Sequence, residues 1–165
     1  KRMFHTTDGR DIEVSGGPYG WKISQKKETE ELLTLFEQVR GTSDIGATYI
    51  EISIEAQHMW YYEDGQLYMD TDVVTGKGGN HTKRGVGYIH NKARNATLVG
   101  ADYVSFVKYW MKVWGGIGIH DASWRSQFGG KIYLTSGSHG CINTPLDNMI
   151  KLYNRVKIGT PVVIY

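Results

Sequence analysis

The segment Ser138-His139-Gly140-Cys141-Ile142-Asn143 holds the only cysteine in a chain of 165 residues. A thiol attacks a carbonyl carbon as thiolate, so it needs a base or a positive field close by. Two histidines qualify. His139 stands two residues before Cys141, and His120 stands twenty-one before it, in Gly118-Ile119-His120-Asp121. Gly140 lets the backbone bend tightly beside the sulfur, leaving successive N–H groups to face an oxyanion. A lone cysteine is otherwise a small buried hydrophobe. Here small polar residues surround it where a core would carry aliphatic ones, which points to acyl transfer through a cysteine nucleophile.

Each neighbouring residue then has a role to be tested. His120 is the expected general base, taking the thiol proton and returning one to the departing amine. Strand alternation turns Asp121 away from it, so a backbone carbonyl near Ser138 is expected to fix the imidazole tautomer. The amides of His139, Gly140 and Cys141 are candidates for the oxyanion site, and the His139 side chain for shaping the loop and binding substrate. Asn143 either orients the loop and binds substrate or forms an Asx-type turn. Tyr109, Trp110 and Trp124 are candidates for a groove wall, against the alternative of core packing. Arg125 is a candidate for a substrate carboxylate, against that of a solvated surface charge. A zinc site from His120, His139 and Cys141 has suitable ligand types but no fourth ligand and no metal-type spacing.

The totals narrow the class. Net charge is +2, and no run of basic residues exceeds two. Nucleic acid, which needs a concentrated cationic patch, is therefore not the expected partner. With 5 Trp and 11 Tyr the chain has rings enough to line a groove for a peptide or sugar-peptide. No apolar run is long enough to span a bilayer, and Lys1-Arg2-Met3 opens no signal peptide. The expectation is a piece of a longer chain, with any membrane anchor outside these residues.

The elements that must position the site can be read in order. Phe4 to Val14 suggests two short strands around a turn, Gly16 to Trp21 a turn cluster, and Lys26 to Arg40 an amphipathic helix capped at Gly41. Residues 1–47 make too small a core to stand alone and read as the end of an accessory domain, with residues 48–165 as the catalytic unit. From Tyr49 the period becomes two: Ile50, Ile52 and Ile54 point one way, Glu51, Ser53 and Glu55 the other. Strands follow at 59–62 and 66–74 around the Glu63-Asp64-Gly65 turn. Thr75 to Gly85 reads as a flexible rim loop, since no helix follows its glycines to make a phosphate loop. A hairpin is expected around Lys92-Ala93-Arg94-Asn95, with strands at 117–120, 131–135 and 162–165. Thr144 is placed as the N-cap of a helix with Pro145 at its first position, Asp147 at the capping-box position, and Leu146, Met149, Ile150 and Tyr153 inward. His120 and Cys141 would sit on a hairpin, the histidine ending one strand and the cysteine following the next. The fold class is mainly β, a mostly antiparallel sandwich or small barrel with one or two helices, preceded by an α+β fragment.

His120 with Ser138-His139-Gly140-Cys141-Ile142-Asn143 resembles the motif of the L,D-transpeptidase catalytic domains of bacterial cell-wall synthesis. The resemblance extends to Ile50–Tyr62, Val73-Val74-Thr75-Gly76-Lys77 and Pro161–Tyr165. The family's usual Thr-Pro before its Gly-x-Tyr strand is here Thr82-Lys83-Arg84-Gly85-Val86-Gly87-Tyr88. Residues 1–47 resemble, more weakly, the wall-associated domain that precedes the catalytic one in Gram-positive members. The resemblance implies an extracytoplasmic enzyme of the cell wall, needing no cofactor and no metal. Cys141 would attack a peptidoglycan stem tetrapeptide donor, release D-Ala, and pass the acyl group to an acceptor stem as a 3→3 cross-link. Carbapenems would acylate the same sulfur. Water in place of the acceptor would make an L,D-carboxypeptidase, and an inert thiol would leave a wall-binding module.

Overall fold

The computed structural model describes residues 2–15 and 45–165. The turn cluster, helix and cap expected between residues 16 and 41 lie outside the described residues. A five-stranded sheet has the order β5-β4-β3-β11-β6, built from β3 (Tyr49–Ser53), β4 (His58–Glu63), β5 (Gln66–Asp72), β6 (Gly85–Tyr88) and β11 (Pro161–Ile164). A four-stranded sheet, β10-β9-β8-β7, uses β7 (Asn91–Val99), β8 (Val104–Trp114), β9 (Ile117–Asp121) and β10 (Ile142–Thr144). The expectation of a mainly β fold holds.

The main core lies between these sheets. Ile50, Ile52 and Met59 meet Met111, Val113, Ile119 and Ile142 there, with Met149 and Leu152 from α2 (Leu146–Arg155). Burying a side chain of this size is worth about 1.5–3 kcal/mol, so the alternation of β3 commits one of its faces to this layer. The other face is also covered. β1 (Arg2–His5) and β2 (Asp11–Val14) form a hairpin whose Phe4 and Val14 pack with Tyr49, Tyr62, Val86 and Val163. Glu51 and Ser53, read from the alternation as the second face of β3, are wholly buried. Glu51 Oε1 accepts from the Thr7 N–H and the Tyr165 hydroxyl, and Oε2 from the Thr7 hydroxyl, each at 2.8 Å. A buried carboxylate is tolerable only when its lone pairs are filled in this way.

Four expectations are corrected. β10 runs parallel to β9, with Asn143 opposite His120, so Cys141 precedes its strand and the two residues are joined by a long crossover rather than a hairpin. β7 runs through Lys92-Ala93-Arg94-Asn95 instead of turning there: its ladder with the eleven-residue β8 skips only Asn95, which has φ +54°. The stretch expected as a strand at 131–135 is instead the short helix α1 (Ile132–Ser136), none of whose residues is buried. A short apolar run does not distinguish the two states by periodicity. Thr144 does not cap α2: it belongs to β10, its C=O accepts from Ala122 N–H at 3.0 Å, and Pro145 takes the cap position without a side-chain bond. The inward face of α2 is carried by Met149 and Leu152, with Tyr153 packed against the same core as expected.

Candidate active site

β9 and β10 bring the two chemical groups to one place. Their parallel register sets Asn143 beside His120 and leaves Cys141 one residue short of the ladder. Gly140 has φ +114°, a conformation that a side chain would strain, and it aims the sulfur inward. Two hydroxyls hold this bend. Ser138 Oγ accepts from Gly140 N–H at 3.0 Å and donates to the Cys141 carbonyl. Thr82, buried, accepts from Gly76 N–H at 2.9 Å and donates to the Gly140 carbonyl at 2.8 Å. The 75–85 segment, expected to be a flexible rim loop, is thus fastened beneath the cysteine.

The sulfur lies 3.6 Å from the Gly116 carbonyl and receives the Gly118 amide. Burial pushes its pKa up, and the Gly118 bond only partly offsets this. His120 is 4% exposed. Burial holds its pKa below the ordinary imidazole value; the Asp121 carbonyl and carboxylate oppose that shift, and Arg125 adds to it. Nδ1 lies 2.8 Å from the Asp121 carbonyl oxygen. A carbonyl can only accept, so Nδ1 carries the proton and Nε2 is left as the basic nitrogen. The orienting carbonyl therefore belongs to Asp121, not to the Ser138 region: the backbone group was within one residue of the base. The Asp121 carboxylate does turn elsewhere, accepting from Tyr109 N–H at 2.7 Å and from the Ser123 hydroxyl. Trp110 and Trp124 confine the imidazole, their ring centroids 5.9 and 6.0 Å away.

Cys141 and His120 share a cavity of about 150 Å³ with Trp124, Arg125, His139 and Asn143. A second opening of about 340 Å³ reaches Cys141 past Trp110, Lys112 and Gly116. Two buried polar atoms in the first cavity, Arg125 Nε and Asn143 Oδ1, have no hydrogen-bond partner among the described residues. Buried groups of that kind cost about 1–3 kcal/mol when left unpaired. Tyr109 lines neither opening: its ring packs on Tyr153, 5.0 Å away, and under Arg94. The amide of Gly140 is committed to Ser138, so it is not free for an oxyanion. No group of three or more His, Cys, Asp or Glu side chains among the described residues is arranged to hold a metal ion.

Sequence reasoning missed Thr82, Asp102 and Tyr103. Tyr103 lines both openings and stacks on His139 at 4.4 Å with 21° between the rings, while Asp102 pairs with His139 at 3.5 Å. The tip of the β7–β8 hairpin is thereby latched to the cysteine loop. No local pattern signals either residue.

A sequence model of the YkuD family, the L,D-transpeptidase catalytic domain, matches residues 47–164, which include every site residue just described. The chain belongs to that family. Among solved structures, a cysteine-to-serine mutant of the Enterococcus faecium L,D-transpeptidase is 47% identical with TM-score 0.73, over 75% of this chain and 52% of that one. The catalytic domain of the Enterococcus faecium enzyme acylated by ertapenem is 48% identical with TM-score 0.67, covering 72% and 97%. An L,D-transpeptidase from Stackebrandtia nassauensis is 27% identical with TM-score 0.61, covering 72% and 55%. The chain spans about half the length of the first of these relatives. No curated protein matches it.

Proposed function

We propose that this L,D-transpeptidase domain joins peptidoglycan stem peptides through a thioester on Cys141. In the resting site thiol and imidazole are both neutral, since burial disfavours charge on each. A donor stem enters, its carboxylate held by Arg125 and its backbone by Asn143. His120 Nε2 takes the thiol proton as the sulfur attacks the carbonyl between the third residue and D-Ala. The tetrahedral oxygen is held by the amides of His139 and Cys141. The C–N bond breaks, His120 gives its proton to the departing amine, and D-Ala leaves. An acceptor amine then attacks the thioester carbonyl, loses its proton to His120, and expels the thiol, leaving a 3→3 link. Water in that second step would give carboxypeptidase products.

The observation that carries this reading is that Cys141 is reached through two openings, with the neutral base in one of them. Two openings accommodate two strands. The Enterococcus faecium relative that ertapenem acylates supports extending carbapenem sensitivity to Cys141. The setting is the outer side of the cytoplasmic membrane, with residues 1–47 belonging to the wall-associated region before the catalytic one.

The test is intact mass after brief exposure to a carbapenem and, in a separate sample never exposed to it, incubation with a tetrapeptide donor and a diamino acceptor. One adduct, absent in Cys141→Ala, and a cross-linked dimer are expected. His120→Gln should slow adduct formation by about 10²–10⁴-fold, the usual range for a positioned base. An adduct in Cys141→Ala, or tripeptide alone in the presence of acceptor, overturns the corresponding step.

A further inference from the structure

Behind the reactive loop, β6 and the end of β8 enclose a separate cavity of about 160 Å³. Lys83, Arg84 and His90 line it beside the rings of Tyr88 and Trp114, and no carboxylate among the described residues does. Among the described residues neither Lys83 nor Arg84 forms an ion pair. Lys83 Nζ lies instead 5.8 Å from the Trp114 ring, and His90 stacks on Tyr88 at 4.1 Å. Arg10 and Arg155, by contrast, are matched with carboxylates. The aromatic wall is built in: a Cβ on Gly87 would fall 2.1 Å from the Trp114 ring, so only glycine lets the indole lie there.

Two exposed cations with no ion pair among the described residues, and an imidazole, gathered beside the rings of Tyr88 and Trp114, suit an oxyanion. The position ties this cavity to the reaction. His90 N–H donates to the Lys112 carbonyl at 2.8 Å, and Lys112 lines the opening that leads to Cys141. Thr82, which holds the Gly140 carbonyl, is the residue immediately before Lys83. This cavity and that opening thus share β8, with Val113 and Trp114 lining the one and Lys112 the other.

We propose that the cavity binds a carboxylate or phosphate group carried by the wall polymer, at a distance from the bond being exchanged. The inference rests on the proposed wall-polymer substrate. Lys83 and Arg84 supply the charge, Trp114 and Tyr88 the wall, and the His90 imidazole, whose backbone N–H is spent on Lys112, a ring N–H donor.

The test is co-sedimentation with purified sacculi at about 0.15 M salt, physiological ionic strength. Every protein carries Cys141→Ala, so that no acyl adduct forms. Lys83→Ala with Arg84→Ala should weaken retention about tenfold, the change that 1.4 kcal/mol of lost charge-assisted bonding produces. Lys131→Ala with Lys151→Ala, a distant exposed pair of equal charge, should change it less than about twofold. Sacculi stripped of phosphodiester polymers separate the sources. Retention falling to the level of the cavity variant assigns a phosphate, and unchanged retention assigns a stem carboxylate. Equal losses from the two lysine-containing pairs, or no loss from the cavity pair, overturn the proposal. The carbapenem adduct on Cys141 reads the transpeptidase assignment separately and does not depend on retention.

Discussion

Thr82→Val is the most informative single change in the site. Valine matches threonine in shape but removes the hydroxyl that accepts from Gly76 N–H at 2.9 Å and donates to the Gly140 carbonyl at 2.8 Å. Both backbone groups are buried, and no water can replace the lost partner without a cavity to hold it. Each orphaned group costs about 1–3 kcal/mol, partly offset because the hydroxyl itself no longer needs desolvating. The net loss should be about 2–4 kcal/mol. A domain with about 5–15 kcal/mol of stability stays folded after such a change. Thr82→Ser keeps both bonds and gives up one methyl, at about 1 kcal/mol. Urea unfolding measures the stability difference. The rate of carbapenem adduct formation, measured well below the unfolding midpoint, measures the loop. Because the Gly140 carbonyl is one bond away from the Cys141 amide, releasing it should slow acylation about tenfold or more in the valine variant, with serine restoring it. A valine variant that unfolds with the serine variant and acylates at the parent rate would show that the hydroxyl positions nothing.

The remaining predictions concern charge. His120 is held below its ordinary value of 6.5 by burial, and its neutral form is the base. Acylation should therefore persist as pH falls past 6.5, with the midpoint of its acid limb below that value; a midpoint above it would mean a thiolate–imidazolium pair at rest. The Cys141 thiol is raised above its ordinary 9.0 by burial, so alkylation by iodoacetamide should still be rising with pH at 9, and a rate already flat at neutral pH contradicts the assignment. Glu51→Ala strands the Thr7 amide and the Tyr165 hydroxyl and should cost about 3 kcal/mol. Glu51→Gln keeps an acceptor and should cost less. Urea unfolding with hydrogen exchange in β1 and β2 checks this, and equal stability of the two variants refutes it.

What could be read from the chain, and what could not, divides by range. The pair proposed as nucleophile and base could be picked out because Cys141 and its flanking Ser138, His139, Gly140 and Asn143 sit in one short segment, and beyond that segment only His120 lay at a workable remove. β3, β4 and β5 were legible because alternation and a Glu63-Asp64-Gly65 turn are local signals. Alternation set Glu51 on the second face of β3 without saying what covers that face; the β1–β2 hairpin covers it. The direction of β10 was equally out of reach, since a three-residue strand does not record whether its partner runs parallel. Thr82 acts on a group 58 residues away, and Asp102 and Tyr103 act on His139 only because the β7–β8 hairpin folds its tip over the loop. These are the contacts that set the chemistry. The cysteine loop is held beneath by hydroxyls and amides, with Asp102 on His139 at its edge, and burial disfavours charge on both the sulfur and the imidazole. With the proposed roles, charge separation between sulfur and imidazole becomes favourable when a carbonyl arrives to take up the electrons, so the buried, hydroxyl-braced loop is expected to restrain the thiol until substrate fills the cavity.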